Sequence, residues 1–157
     1  SLSLSYNQQT TMIRKILVGL LIALVVIQFI RPEKNNAAGP SPDRIQTAYE
    51  VPGNVQQILD KACMDCHSNQ SRYPWYNNIQ PVAWWIADHI DEGKGELNFD
   101  AFASYKPKRQ HHKMEESYTW MHKEANLTQE EKEILTNWAG QLQKLIAEKY
   151  QLPAEKH

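Results

Sequence analysis

The chain has 157 residues, 41% hydrophobic and 22% charged, which leaves room for one ordinary domain and little beside it. Its 17 Lys plus Arg against 18 Asp plus Glu give a formal charge of -1, so there is no global attraction to nucleic acid, and no nucleic-acid partner is expected. Only two cysteines, three positions apart, exclude the disulfide framework of small secreted domains, while five Trp, seven Tyr and three Phe suit a core built around something flat and apolar.

Residues 1–31 read as the first segment. A polar start, Ser1 to Thr11, leads to Met12, a natural start. Arg14 and Lys15 then precede an apolar run from Ile16 to Ile30 broken only by Gly19 and Gln28. A basic pair before an apolar run has the form of an export signal: the pair stays in the cytoplasm and everything after Arg31 goes outward. The run is short against the roughly 20 apolar residues of a spanning helix, so a cleaved signal and an uncleaved anchor both fit. The anchor is favoured, because the small residues Ala37 and Ala38 lie well beyond the run. The expected location is the inner membrane, held by this N-terminal helix, with the rest facing the periplasm. Residues 32–52, broken by Pro32, Pro40, Pro42 and Pro52, read as an extended tether.

A folded domain is expected over 53–150, with 151–157 as a tail. Val55, Ile58, Leu59 and Ala62 recur at i, i+3, i+4 and i+7, predicting an amphipathic helix that runs into Cys63-Met64-Asp65-Cys66-His67. A second helix is predicted from Pro81, with Val82, Trp85, Ile86, His89 and Ile90 inward and an end near Gly93. A shorter one comes after Asn98, a candidate N-cap, and stops before Pro107. Thr128-Gln129-Glu130-Glu131 is a capping box, with Leu127 as its staple, opening a last helix whose inward face is Ile134, Leu135, Trp138, Leu142, Leu145 and Ile146. No strand pattern appears, so the fold class is all-α.

Cys-x-x-Cys-His is the haem-attachment pattern. Two thiols one turn apart can add to the two vinyl groups on one porphyrin edge, and the next residue, His67, is then placed to reach the iron as its proximal ligand. A thioredoxin-like redox pair would need a strand before the motif. A structural zinc site would need further ligands, with no second Cys pair to supply them.

The stretch Cys63 to Trp85, with Arg72-Tyr73-Pro74-Trp75-Tyr76 and Pro81-Val82-Ala83-Trp84-Trp85, resembles the bacterial haem-binding domain family. The likeness continues through Glu92-Gly93, Glu96-Leu97-Asn98-Phe99, Lys113-Met114-Glu115-Glu116, Tyr118, His122 and Ala125-Asn126-Leu127-Thr128 to Trp138. The resemblance implies a small cytochrome-c-like helical domain around one covalent haem c. In one respect the sequence departs from that pattern. Family members carry a Met-Pro pair between the Glu-Glu and Tyr-x-x-x-His stretches, a natural source of the sixth iron ligand, whereas here Glu116 runs directly into Ser117 and Tyr118.

Of the remaining methionines, Met121 is ranked first as sixth ligand and Met114 second. Both, with Tyr118, also fit a plain core stripe at i, i+4 and i+7. His89, His111, His112 and His122 are the histidine alternatives, and an open sixth site is the last one. Arg72 is a candidate for a haem propionate, and Trp75, Trp84 and Trp85 for packing on the ring or in the core. Lys106, Lys108, Arg109 and Lys113 form a local basic stretch that fits a solvated surface, a propionate contact or an acidic redox partner. Electron transfer is the expected function, with redox partner proteins that the sequence does not name; a peroxidase-like enzyme or gas sensor with an open sixth site is the alternative.

Overall fold

A computed structural model describes the backbone of residues 2–119 and 126–153 and the side chains of residues 8–114 and 126–153. Among these residues every regular element is helical, apart from a single antiparallel bridge between Asn36 and Gln70. The helices are α1 (Leu2–Ile27), α2 (Ile45–Ala48), α3 (Gly53–Ala62), α4 (Met64–His67), α5 (Val82–Glu96), α6 (Pro107–Thr119) and α7 (Gln129–Tyr150). Short 3-10 turns cover Trp75–Asn78 and Phe102–Ser104. The chain divides into two compact units, Ser1–Glu33 with Tyr73–Asp88, and Lys34–Arg72 with His89–His157.

In the first unit, α1 carries the 20-residue segment Gln8–Ile27, which includes an 18-residue stretch of mean hydropathy 2.2 with none of it buried. At 1.5 Å per residue that is about 30 Å, the thickness of a bilayer's hydrocarbon core. The helix is long and apolar enough to cross a membrane; it gains its length by extending upstream of the apolar run, through Arg14 and Lys15, whose long stems can carry their charges toward headgroups.

The second unit holds the core: Ile45, Tyr49, Val55, Ile58, Leu59, Phe99, Phe102, Met114, Leu135, Trp138, Ala139, Leu142 and Ile146. The capping box opens α7 as expected, Thr128 Oγ1 accepting from Glu131 N–H and the Glu131 carboxylate accepting from Thr128 N–H. Leu145, expected inward, is 50% exposed, and Ala139 takes its place in the buried face. On α5, Ile90 and Ala83 are buried, but Trp85 and His89 are exposed. Ile90 is thus inward as expected within the second unit, while within the first unit Ala83 is buried and Trp85 is not. The helix also continues past Gly93 to Glu96. Asn98 does bond forward, its Oδ1 accepting from Asp100 N–H at 2.9 Å, but it opens no helix beyond the short turn Phe102–Ser104.

Residues 34–52, expected to be an extended tether, are packed into the second unit. Ile45 is fully buried and Tyr49 is 6% exposed, its ring edge-on to Phe102 at 6.0 Å. The reason is a short apolar face, Ile45, Ala48 and Tyr49 at i, i+3 and i+4, on a helix too brief to show as a periodic run.

Candidate functional site

Helix α3 ends at Ala62, and Cys63 is both its C-cap and the residue before α4. The Cys63–His67 segment is therefore a second helical turn, separated from α3 by Cys63. Cys66 N–H and His67 N–H both donate to the Cys63 carbonyl, at 3.2 and 2.9 Å, which closes the turn and brings both thiols and the imidazole onto one short element. Both cysteines are free thiols, half-buried. Burial, with Cys66 beside it, pushes the Cys63 thiol up to about 11, and burial next to Asp65 raises the Cys66 thiol too. Neither has the lowered pKa of a disulfide-exchange nucleophile.

The decisive contact is at His67. Its Nδ1 lies 2.8 Å from the carbonyl oxygen of Leu97. A carbonyl can only accept, so Nδ1 carries the proton and Nε2 is the basic nitrogen of the neutral tautomer. This is the arrangement by which metal-binding histidines are oriented. The segment that supplies the carbonyl is fixed from several sides. Phe99 N–H donates to the His67 carbonyl at 2.8 Å, the Phe99 ring stands edge-on to the imidazole at 6.5 Å, and Leu97 N–H donates to the Gly93 carbonyl at 2.9 Å. Gly93 is needed for close approach: a Cβ there would stand 2.8 Å from the Cys66 carbonyl oxygen.

The loop after the motif is held by residues of the strap 34–52. Ser71 N–H donates to the Asn35 carbonyl at 2.9 Å, Asn35 Nδ2 donates to the Ser68 carbonyl at 2.9 Å, and Ala37 N–H donates to the Asn69 carbonyl at 2.9 Å. Lys94 Nζ donates to Asn35 Oδ1 at 2.7 Å, linking the same loop to α5.

The other expected site residues are scattered. Arg72 grips Asp65, inside the motif, through Nε to Oδ1 at 3.0 Å and Nη2 to Oδ2 at 3.1 Å, and Nη2 also donates to the Asp60 carbonyl. With Asp65 and Arg44 it lines a 640 Å³ cleft whose walls include neither cysteine nor His67. Trp75 belongs to the first unit and is 77% exposed. Met114 is 1% exposed within the core of the second unit, a cluster against which Cys63 and Met64 also pack. Met121 and His122 lie outside the described residues. His111 is half-buried and His112 exposed. In the basic stretch, Arg109 stacks on the Tyr105 ring at 4.3 Å and Lys113 pairs with Glu96 at 2.9 Å, so these two cations have partners within the unit.

A model of the haem-binding domain family matches residues 22–141, well over half of the chain. The chain belongs to the haem-binding domain family. No curated protein and no solved structure matches it. The residues present fit the group that the family binds, since a half-buried imidazole with Nδ1 committed to a carbonyl and Nε2 left basic is a donor suited to haem iron. Leu97, Phe99 and Gly93, which set up that histidine, are not singled out as site residues by the sequence. Their one signal is that they fall inside the stretches that resemble the family.

Proposed function

We propose that this haem-binding domain is a membrane-tethered c-type cytochrome carrying one covalent haem and serving electron transfer outside the cytoplasm. Cys63 and Cys66 would hold the porphyrin edge as thioethers, and His67 Nε2 would be the proximal iron ligand. The observation that supports this reading is the bond from His67 Nδ1 to the Leu97 carbonyl, which makes Nε2 the basic nitrogen of an imidazole carried on the same turn as two thiols. When bound, haem supplies one-electron chemistry at its iron. The chain's own part is to hold the imidazole in one tautomer, keep the attachment turn rigid and restrict the approach of water.

Arg72 braces Asp65, and its Nη1 is the group available to a propionate. For the sixth ligand the reading keeps Met121, because Met114 would have to leave a core that it fills at 1% exposure. The absent Met-Pro segment favours a second reading, a haem enzyme or gas sensor with an open sixth position. The unit carrying α1 would tether the haem in the inner membrane, facing the periplasm, and raise its effective concentration near membrane-bound redox partners.

The experiment is expression of the whole chain with export and haem-attachment machinery, then haem staining after denaturing electrophoresis and reduced and oxidised spectra with carbon monoxide. Covalent stain that vanishes in the Cys63→Ala/Cys66→Ala double variant, with a low-spin spectrum inert to carbon monoxide, is expected. Stain that persists in the variant would sink the attachment. A carbon-monoxide-reactive spectrum would select the second reading.

A further inference from the structure

The exit end of α1 is jointed to another segment of its own unit. The Gln28 side-chain amide pairs with the backbone of Gln80 in both directions, Nε2 donating to the Gln80 carbonyl at 3.2 Å and Oε1 accepting from its N–H at 2.9 Å. Gln80 Nε2 and Trp84 Nε1 both donate to the Ile30 carbonyl, at 2.9 and 3.0 Å. Gln80 is 2% exposed, so this is a built joint and not a passing surface contact. The same Gln28 amide also serves the last turn of α1, where carbonyls have no partner within the helix: its Nε2 donates to the Leu24 carbonyl at 2.9 Å.

The surface that the joint holds beside the helix exit is apolar and exposed. Trp75 is 77% exposed, Trp85 62%, Tyr76 45% and Ile79 45%, and Phe29, just past α1, is 84% exposed. From Tyr73 to Ala87 the sequence has no Lys, Arg, Asp or Glu. Moving this stretch out of bulk water therefore dehydrates no ion, the largest penalty such a move can carry. Trp and Tyr combine an apolar body with a polar tip, the chemistry that concentrates them at membrane–water interfaces. Exposed apolar patches of this kind mark interaction surfaces.

We propose that residues 75–85 form an interfacial foot, with Trp75, Tyr76, Ile79 and Trp85 seated in the headgroup region of the same bilayer that α1 crosses. The inference rests on the anchor reading of α1 and adds to it. The partner is lipid because the joint fixes the segment to the last turn of the helix, where the chain leaves the hydrocarbon. With no cation in the stretch, the contact needs no anionic lipid and is insensitive to salt, unlike a polybasic membrane contact.

The test is photo-crosslinking of the full-length, haem-loaded chain in vesicles of phosphatidylethanolamine and phosphatidylcholine. The probe, p-benzoylphenylalanine, replaces Leu21, Tyr76 or Trp85 in separate variants, with Glu133 on α7 as the aqueous control. Lipid adducts at positions 21, 76 and 85, unchanged by high salt and absent at 133, are the expected result. A lipid adduct at 21 with none at 76 and 85, or adducts there to the haem or to another part of the chain, would overturn the foot and leave the anchor standing. Failure to label lipid at 21 would remove the anchor and the foot with it.

Discussion

A histidine serves iron through an unprotonated ring nitrogen, and whatever the other nitrogen bonds decides which one that is. At His67 the partner is the backbone carbonyl of Leu97, so no side-chain substitution can delete the acceptor. The approach of the segment that brings it can be disturbed, however. Gly93 sits at that approach, and the atoms an added methyl would meet are the Cys66 carbonyl oxygen at 2.8 Å and Cys66 Cβ at 3.2 Å. The nearest obstacle is backbone and cannot rotate away, so α5 or the turn at Cys66 must shift. Gly93→Ala is expected to cost about 1–3 kcal/mol, as overpacking does, and to lower the fraction of chains that carry covalent haem. Urea titration and haem staining measure the two effects. A wild-type midpoint with full haem content would mean that the crossing has slack. By contrast, the Arg72–Asp65 pair is exposed on both sides, at 70% and 42%. Such pairs contribute about 0–1 kcal/mol, so the value of this one lies in aligning the turn and little in stability.

The last helix shows at the scale of an element how much residue types at fixed spacing can state openly. Thr128 and Glu131 satisfy each other's orphan N–H groups, and that reciprocity is written in the sequence itself. Thr128→Ala is expected to cost about 1 kcal/mol in urea unfolding. Glu131 also bonds Lys61 of α3 at 2.8 Å, and that partner, with the Thr128 N–H, holds its carboxyl below the usual range. A carboxyl lowered in the folded state stabilises it at pH values above its unfolded pKa and loses that contribution as the pH falls through the folded value. Glu131→Gln should therefore flatten part of the acid-side decline of stability and leave its slope above neutral pH unchanged; a parallel acid limb in both proteins would refute the linkage. Helix α5 is legible only in part. Its existence is plain from the apolar spacing, but Gly93 reads as a stop because its helix-breaking tendency is local, whereas its use here, making room for Cys66, is set by residues far away in sequence. Trp85 and His89 read as inward from the same spacing, yet both are exposed. Periodicity gives the stripe without saying which side of a mixed stripe faces the core.

For the whole molecule, the all-α class and the helix that leads into Cys63 are readable from residue types, since both depend on short-range patterns. The path of residues 34–52 is not. Four prolines in and around a polar stretch describe a chain that cannot form long helices, and from that alone a free tether and a strap bound to the domain look the same. The difference is made by Ile45 and Tyr49, which reach the core, and by Asn35 and Ala37, which bond the loop after His67. The strap also meets the histidine support, because Ile45 N–H donates to the Phe99 carbonyl at 2.8 Å while Phe99 N–H donates to that of His67. A single chain of backbone bonds thus runs from the strap to His67. If that strap is structural, removing its fully buried side chain must act as a core deletion does. Ile45→Ala is then expected to destabilise the domain by about 2–5 kcal/mol and to broaden the spectrum of the bound haem as the His67 support loosens. If 34–52 were only a tether, the same change would fall within about 0.5 kcal/mol, the usual range for exposed positions, and leave the spectrum as it was. Urea unfolding of the variant beside the parent separates these outcomes, because the two ranges do not overlap.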